Sequence, residues 1–183
     1  MTTDPKTELL IAILAMDSYN RDYGAGISGL GGAGSKIGTA TLQAAPAGTD
    51  LVNRKSSGFY AAAYDTPYGQ VISYRGTDVL NPLNPANDII NGWVSATGTV
   101  TTQATLSLDF YKAVTSGVSV FDTTQPPITL TGHSLGGGLA GIVSSLSGNQ
   151  AVVFDTMPFS IVSEVLAAQH STPGITVTPH LII

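Results

Sequence analysis

The sequence predicts a single α/β domain, because short apolar strands alternate with helices of roughly ten to fifteen residues, the pattern of βαβ units around a mostly parallel sheet flanked by helices. Composition agrees. Hydrophobic residues make up 43% of the 183-residue chain and charged residues only 10%, as expected where central strands are covered on both faces. No internal repeat, charge run or low-complexity linker interrupts the chain, and a domain of this length can bury about 70% of its unfolded surface. Residues 1–183 are therefore expected to form one domain.

Asp4 and Pro5 suit a helix N-cap and first turn, and Leu9, Ile13, Met16 and Asn20 share one helical face with Leu10 and Leu14 beside it. An amphipathic helix is expected from Pro5 to about Asn20. Gly24 to Gly38 is too rich in glycine for either regular element and reads as a surface loop. Phe59 to Tyr64 and Gln70 to Tyr74, separated by the turn residues from Asp65 to Gly69, suggest a hairpin. Val79 to Trp93 has no clean period and reads as a loop or short mobile helix. Leu106, Phe110, Ala113 and Val114 place one buried stripe on a helix from Thr101 to about Ser116.

Ile128 to Thr131 is a short buried strand, followed by a glycine-studded helix with Leu135, Leu139, Ile142, Val143 and Leu146 on one face. Ala151 to Phe154 is the next strand, and Ser160 caps a helix holding Ile161, Val162, Val165 and Leu166. A further strand is expected at Ile175 to Val177. The apolar run Leu181-Ile182-Ile183 reads as a strand in mid-course, so the domain is expected to be incomplete at its C-terminal end.

Seven basic residues against twelve acidic give a net charge of -5, which offers no electrostatic footprint for nucleic acid or an anionic membrane surface. A neutral or apolar small molecule fits better. The absence of cysteine excludes disulfides and thiolate chemistry. Leu9 to Met16 lacks the basic flank and cleavage site of a signal peptide, and no stretch approaches the roughly 18 apolar residues that span a bilayer. A soluble domain is expected, with localisation open between cytoplasmic and extracellular.

The chemistry is carried by Gly132-His133-Ser134-Leu135-Gly136, a G-x-S-x-G pentapeptide set between a buried strand and an apolar-faced helix. So sharp a turn forces the serine into a strained conformation and leaves its hydroxyl exposed at the carboxyl edge of the sheet. Ser134 is the candidate nucleophile. The backbone N–H of Leu135, the residue after it, is a candidate oxyanion donor.

The run GHSLGGGLA, Gly132 to Ala140, resembles the nucleophile elbow of the class 3 lipase family, and VISYRGT, Val71 to Thr77, is similar to that family's oxyanion strand. The resemblance covers about Phe59 to Phe159. It implies an α/β-hydrolase fold, a second oxyanion donor at Thr77 and a lid whose apolar residues are Val79, Leu80, Leu83, Ile89, Ile90 and Trp93. It also implies triacylglycerol lipase activity first, with phospholipase A1 or a feruloyl-type esterase behind it.

In this fold the acid and then the histidine follow the serine, and the downstream supply is Asp155, Glu164, His170 and His180. Asp155, at the end of a strand, suits either a triad acid or a turn. Its placement resembles the acid of pancreatic-type lipases, whereas class 3 lipases take theirs after the next strand. Glu164 and His170 suit solvent-facing positions. His180 is the candidate histidine, although the family's histidine follows a further strand, so a complementing C-terminal segment or chain is an open alternative.

Gly29 to Gly34 satisfies G-x-G-x-x-G but follows a helix where a dinucleotide site needs a strand. His133, His170 and His180 have no metal-ligand spacing. No cofactor is expected, and a structural calcium stays open with no motif in the sequence pointing to it. The expected function is a carboxylic-ester hydrolase working through an acyl-enzyme on Ser134. The rival is a non-catalytic module of the same fold that binds lipid or a partner.

Overall fold

The structure is a computed structural model that describes residues 4–21, 27, 29–47, 51–77, 100–122, 127–170 and 181–182. Among the described residues its helices are α1 (Pro5–Asp17), α2 (Leu51–Ser56), α3 (Thr102–Val114), α4 (Leu135–Ser147) and α5 (Ser160–His170), with a 3-10 turn at Ser18–Asn20. Its strands are β1 (Lys36–Ile37), β2 (Ala40–Leu42), β3 (Ala61–Thr66), β4 (Gly69–Tyr74), β5 (Thr129–His133), β6 (Ala151–Phe154) and β7 (Leu181–Ile182). They form one seven-stranded sheet in sequential order.

The sheet is mixed. From β4 to β7 each neighbouring pair is parallel, as expected for strands joined through helices, but from β1 to β4 each pair is antiparallel. Connection length accounts for two of these pairs: Gly38–Thr39 joins β1 to β2 and Pro67–Tyr68 joins β3 to β4 by two residues, which permits a hairpin and leaves no chain for a crossover, whereas β2 and β3 are joined by the longer segment that contains α2. β1 also occupies the end of the glycine-rich stretch expected to be loop throughout. Leu181 and Ile182 do form a strand, paired with β6.

Side chains alternate between two cores, as the pleat requires. Ala61, Ala63, Ile72 and Tyr74 pack with Phe110, Leu139, Ile142 and Leu166 of α3, α4 and α5. Ala62, Tyr64 and Val71 pack with Leu10 and Leu14 of α1 on the other face. Full burial of a side chain such as Leu14 or Leu139 stabilises the fold by roughly 1.5–3 kcal/mol.

α1 begins at Pro5 after Asp4, as expected, though the Asp4 side chain makes no capping hydrogen bond. Its buried stripe is Leu10, Ile11, Leu14 and Ala15, whereas Leu9, Ile13 and Met16, the face singled out by periodicity, are exposed. The helix is apolar nearly all round, so contact with the sheet and not the pattern selects its inner face. α3 falls within the span expected for it, and Thr101 is its N-cap, with the hydroxyl accepting from the Ala104 amide at 3.3 Å. α4 is buried at every residue, which suits a helix wedged between the sheet and its two neighbours. The segment Val79 to Trp93 and the strand expected at Ile175 to Val177 lie outside the described residues.

Candidate active site

Three parallel strands deliver the candidate residues to one edge. Tyr74 of β4 is level with Gly132 of β5, and His133 is level with Phe154 of β6. Arg75–Thr77, His133–Ser134 and Asp155 therefore leave the sheet side by side at its carboxyl edge, where open α/β sheets place ligands.

Ser134 stands between β5 and α4 with φ 55° and ψ -124°, a backbone that a non-glycine residue adopts at a cost of about 1–3 kcal/mol. The surroundings hold it there. Its amide donates to the Phe154 carbonyl at 3.0 Å, while its own carbonyl accepts from the Gly138 and Met157 amides, both at 3.1 Å. Close approach explains the flanking glycines: a Cβ on Gly132 would lie 2.3 Å from the Gly136 carbonyl, and one on Gly136 would lie 2.1 Å from the Tyr74 oxygen. Ser134 itself is half-buried.

Leu135 buries its side chain and opens α4, so its N–H has no acceptor within the helix and belongs to the positive end of the helix dipole. Such a donor suits a developing negative charge. Thr77, half-buried, follows Gly76, whose Cβ position would be 2.5 Å from the His133 carbonyl. The end of β4 is thus pressed against the elbow, with Thr77 one residue beyond the contact.

Asp155 also has positive φ, 46°, and its side chain is 91% exposed. Its Oδ2 lies 4.0 Å from Nε2 of His133. The carboxylate is on the predicted edge, yet the imidazole it faces belongs to the residue before the serine. On the other side of that ring, Nδ1 is 3.1 Å from the Tyr19 hydroxyl, which also lies 3.3 Å from the His133 carbonyl. Tyr19 carries no motif and sits 114 positions from His133, so nothing in the sequence announces it.

Tyr19 is held from both sides. Arg21 grips Asp17 through two 2.8 Å contacts, Tyr64 donates to the same carboxylate at 2.8 Å, and Arg21 reaches the Leu30 and Gly31 carbonyls. Burial, reinforced by the negative charge of Asp17, pushes the Tyr64 hydroxyl far above its ordinary range. The hydrogen bond to Asp17 raises Arg21 as well. A cavity of about 730 Å³ lies elsewhere, lined by Arg54, Phe59, Leu106 and Phe110 among others, and contains none of the candidate residues.

A family model described as the Tle-like phospholipase domain, of phospholipase-like type, matches residues 11–160. The chain belongs to that family. No curated protein matches it. The matched part of this Tle-like phospholipase domain takes in Tyr19, Arg75–Thr77, the elbow and Asp155, so all three strand ends fall within it. The family is one of lipase-type hydrolases, which makes lipid-ester hydrolysis the activity class.

The remaining candidates lie beyond the matched residues: Glu164 is exposed on α5 and His170 is the last residue of that helix. His180 lies outside the described residues. Among those residues no group of three or more His, Asp or Glu side chains converges as a metal site, and no helix is long and apolar enough to cross a membrane.

Proposed function

We propose that the chain hydrolyses a carboxyl ester of a phospholipid through an acyl-enzyme on Ser134, on an α/β-hydrolase scaffold. The observation that carries this reading is the backbone of Ser134: a positive φ at the carboxyl end of a parallel strand, feeding straight into a helix, inside G-x-S-x-G. The resemblance of Gly132–Ala140 and Val71–Thr77 to class 3 lipases supports it. The phospholipase-like description of the family favours a phospholipid over a triacylglycerol, and a net charge of -5 favours a zwitterionic surface over an anionic one.

Ser134 Oγ attacks the ester carbonyl while an imidazole takes its proton. The oxyanion is met by the Leu135 N–H and by Thr77, through its N–H and hydroxyl. Collapse expels the alcohol, which leaves with that proton, and water then cleaves the acyl-serine to fatty acid and free hydroxyl. We assign the imidazole to His180, one of two histidines that follow the serine, with Asp155 as its acid; a complementing C-terminal segment or chain is the alternative source.

Fluorophosphonate labelling tests the nucleophile, since that reagent needs an activated serine. The expected result is a single adduct on Ser134, lost in Ser134→Ala together with fatty-acid release from phosphatidylcholine vesicles, a drop of roughly 10⁴-fold or more. A wild-type chain that binds the vesicles but takes no label would replace this reading with the lipid-binding module.

A further inference from the structure

The geometry points to Tyr19 as a positioning residue of the serine site, acting through His133 and Gly76; this rests on the function proposed for Ser134. Three groups meet at one point. The Tyr19 hydroxyl lies 3.1 Å from His133 Nδ1 and 3.3 Å from the His133 carbonyl, and a Cβ on Gly76 would come 2.0 Å from that hydroxyl and 2.5 Å from that carbonyl. The tyrosine is therefore wedged between the end of β4, which carries Thr77, and the elbow, which carries Ser134 and Leu135. Those two strand ends hold the two candidate oxyanion donors. Their spacing sets whether both reach one oxygen.

The anchoring fits a positioning role better than plain packing. Tyr19 is half-exposed, not a core aromatic, and it occupies the 3-10 turn between Asp17 and Arg21, whose two-point ion pair is almost fully buried. The Ser18 hydroxyl closes the same turn on the Ala15 carbonyl at 2.8 Å. A polar tip held out to the site on a rigid stalk is what placement of a neighbour requires.

The hydroxyl has one proton to give. Donated to the His133 carbonyl, it leaves the oxygen free to accept Nδ1–H; donated to Nδ1, it fixes the ring proton on Nε2, toward Asp155. Either arrangement holds the ring of His133 in one tautomer and one orientation. Removing the hydroxyl releases the ring and loosens the contact with β4.

Tyr19→Phe, which keeps the ring and removes the hydroxyl, is the test. Two readings are taken on the full chain beside a thermal melt. The rate of fluorophosphonate labelling and the affinity for a trifluoromethyl ketone, which mimics the tetrahedral intermediate, are expected to fall together by about tenfold, with KM for the ester unchanged. In ¹⁵N-histidine spectra above the pH at which the ring is neutral, wild-type His133 is expected to show one protonated and one bare nitrogen. In Tyr19→Phe both should move toward the averaged position. Labelling within twofold of wild type, or a parallel loss of KM and melting temperature, would overturn the positioning role. So would averaged His133 nitrogens in the wild-type chain, a reading that needs no variant. If wild type takes no label, the proposed function fails, while the nitrogen spectra still judge Tyr19.

Discussion

Glycine does two different jobs in this molecule, and the elbow and the glycine-rich loop separate them. In the loop, Gly34 has a φ of +87° and open space around its Cβ position, so glycine is there for conformation. In the elbow, Gly132 and Gly136 do not have positive φ, but a Cβ on either would drive into backbone 2.1–2.3 Å away, so glycine is there for proximity. The two regions are also held differently. Main-chain contact among β4, β5 and α4 fixes the elbow, whereas the loop combines backbone hydrogen bonds, among them the Gly34 amide to the Leu42 carbonyl at 2.7 Å, with a side-chain network in which Arg21 bridges Asp17 to the Leu30 and Gly31 carbonyls. The site is thus built where backbone meets backbone with little room to relax.

Gly136→Ala should have the largest effect, because the clash is with the Tyr74 oxygen and adjoining backbone, which cannot swing aside. Destabilisation of about 3 kcal/mol or more in urea unfolding is expected, with labelling of Ser134 reduced at least roughly 100-fold. A folded, reactive Gly136→Ala chain would show that the elbow tolerates separation and would erase the contrast with the loop.

The side-chain network should respond to alkali. Folding raises the Tyr64 hydroxyl, by burial first and then by Asp17, so the folded state keeps a proton that an unfolded tyrosine loses near pH 10. Stability is then complete below about pH 10 and falls above it by up to roughly 1.4 kcal/mol per pH unit. Burial raises Tyr74 and Tyr111 in the same direction. Tyr64→Phe should cost about 1–2 kcal/mol at neutral pH, through the lost hydrogen bond to Asp17, and make the alkaline slope shallower without abolishing it. Urea titrations on either side of pH 10 measure both; an unchanged slope would remove Tyr64 from the network's pH response.

Gly34→Ala should have the smallest effect on the site: it costs about 1–2 kcal/mol of stability from the positive φ alone, with labelling of Ser134 unaltered. A loss of labelling here would mean that the loop, by way of Arg21 and Asp17, sets the position of Tyr19 more tightly than its contacts suggest.

The elbow was legible because it is local: strand, serine and helix are consecutive, and the glycine spacing follows from how closely consecutive elements must pass. Strand β4 and its Arg75-Gly76-Thr77 ending were legible for the same reason. The inner face of α1 was not, since Leu9, Ile13 and Met16 are as apolar as Leu10 and Leu14, and only the sheet distinguishes them. Nor was the partner of Asp155, because an acid at a strand end can face any neighbouring strand.

By itself, then, the sequence determined an alternation of strands and helices and a strained serine set between a strand and a helix, each of them encoded in consecutive residues. The Tle-like phospholipase match, over residues 11–160, spans the same features. Only the tertiary structure decided the antiparallel half of the sheet, the exposed face of α1, the pairing of Asp155 with His133 and the approach of Tyr19. Each of these depends on which of several chemically equivalent surfaces meet, and that is settled by packing between segments far apart in sequence.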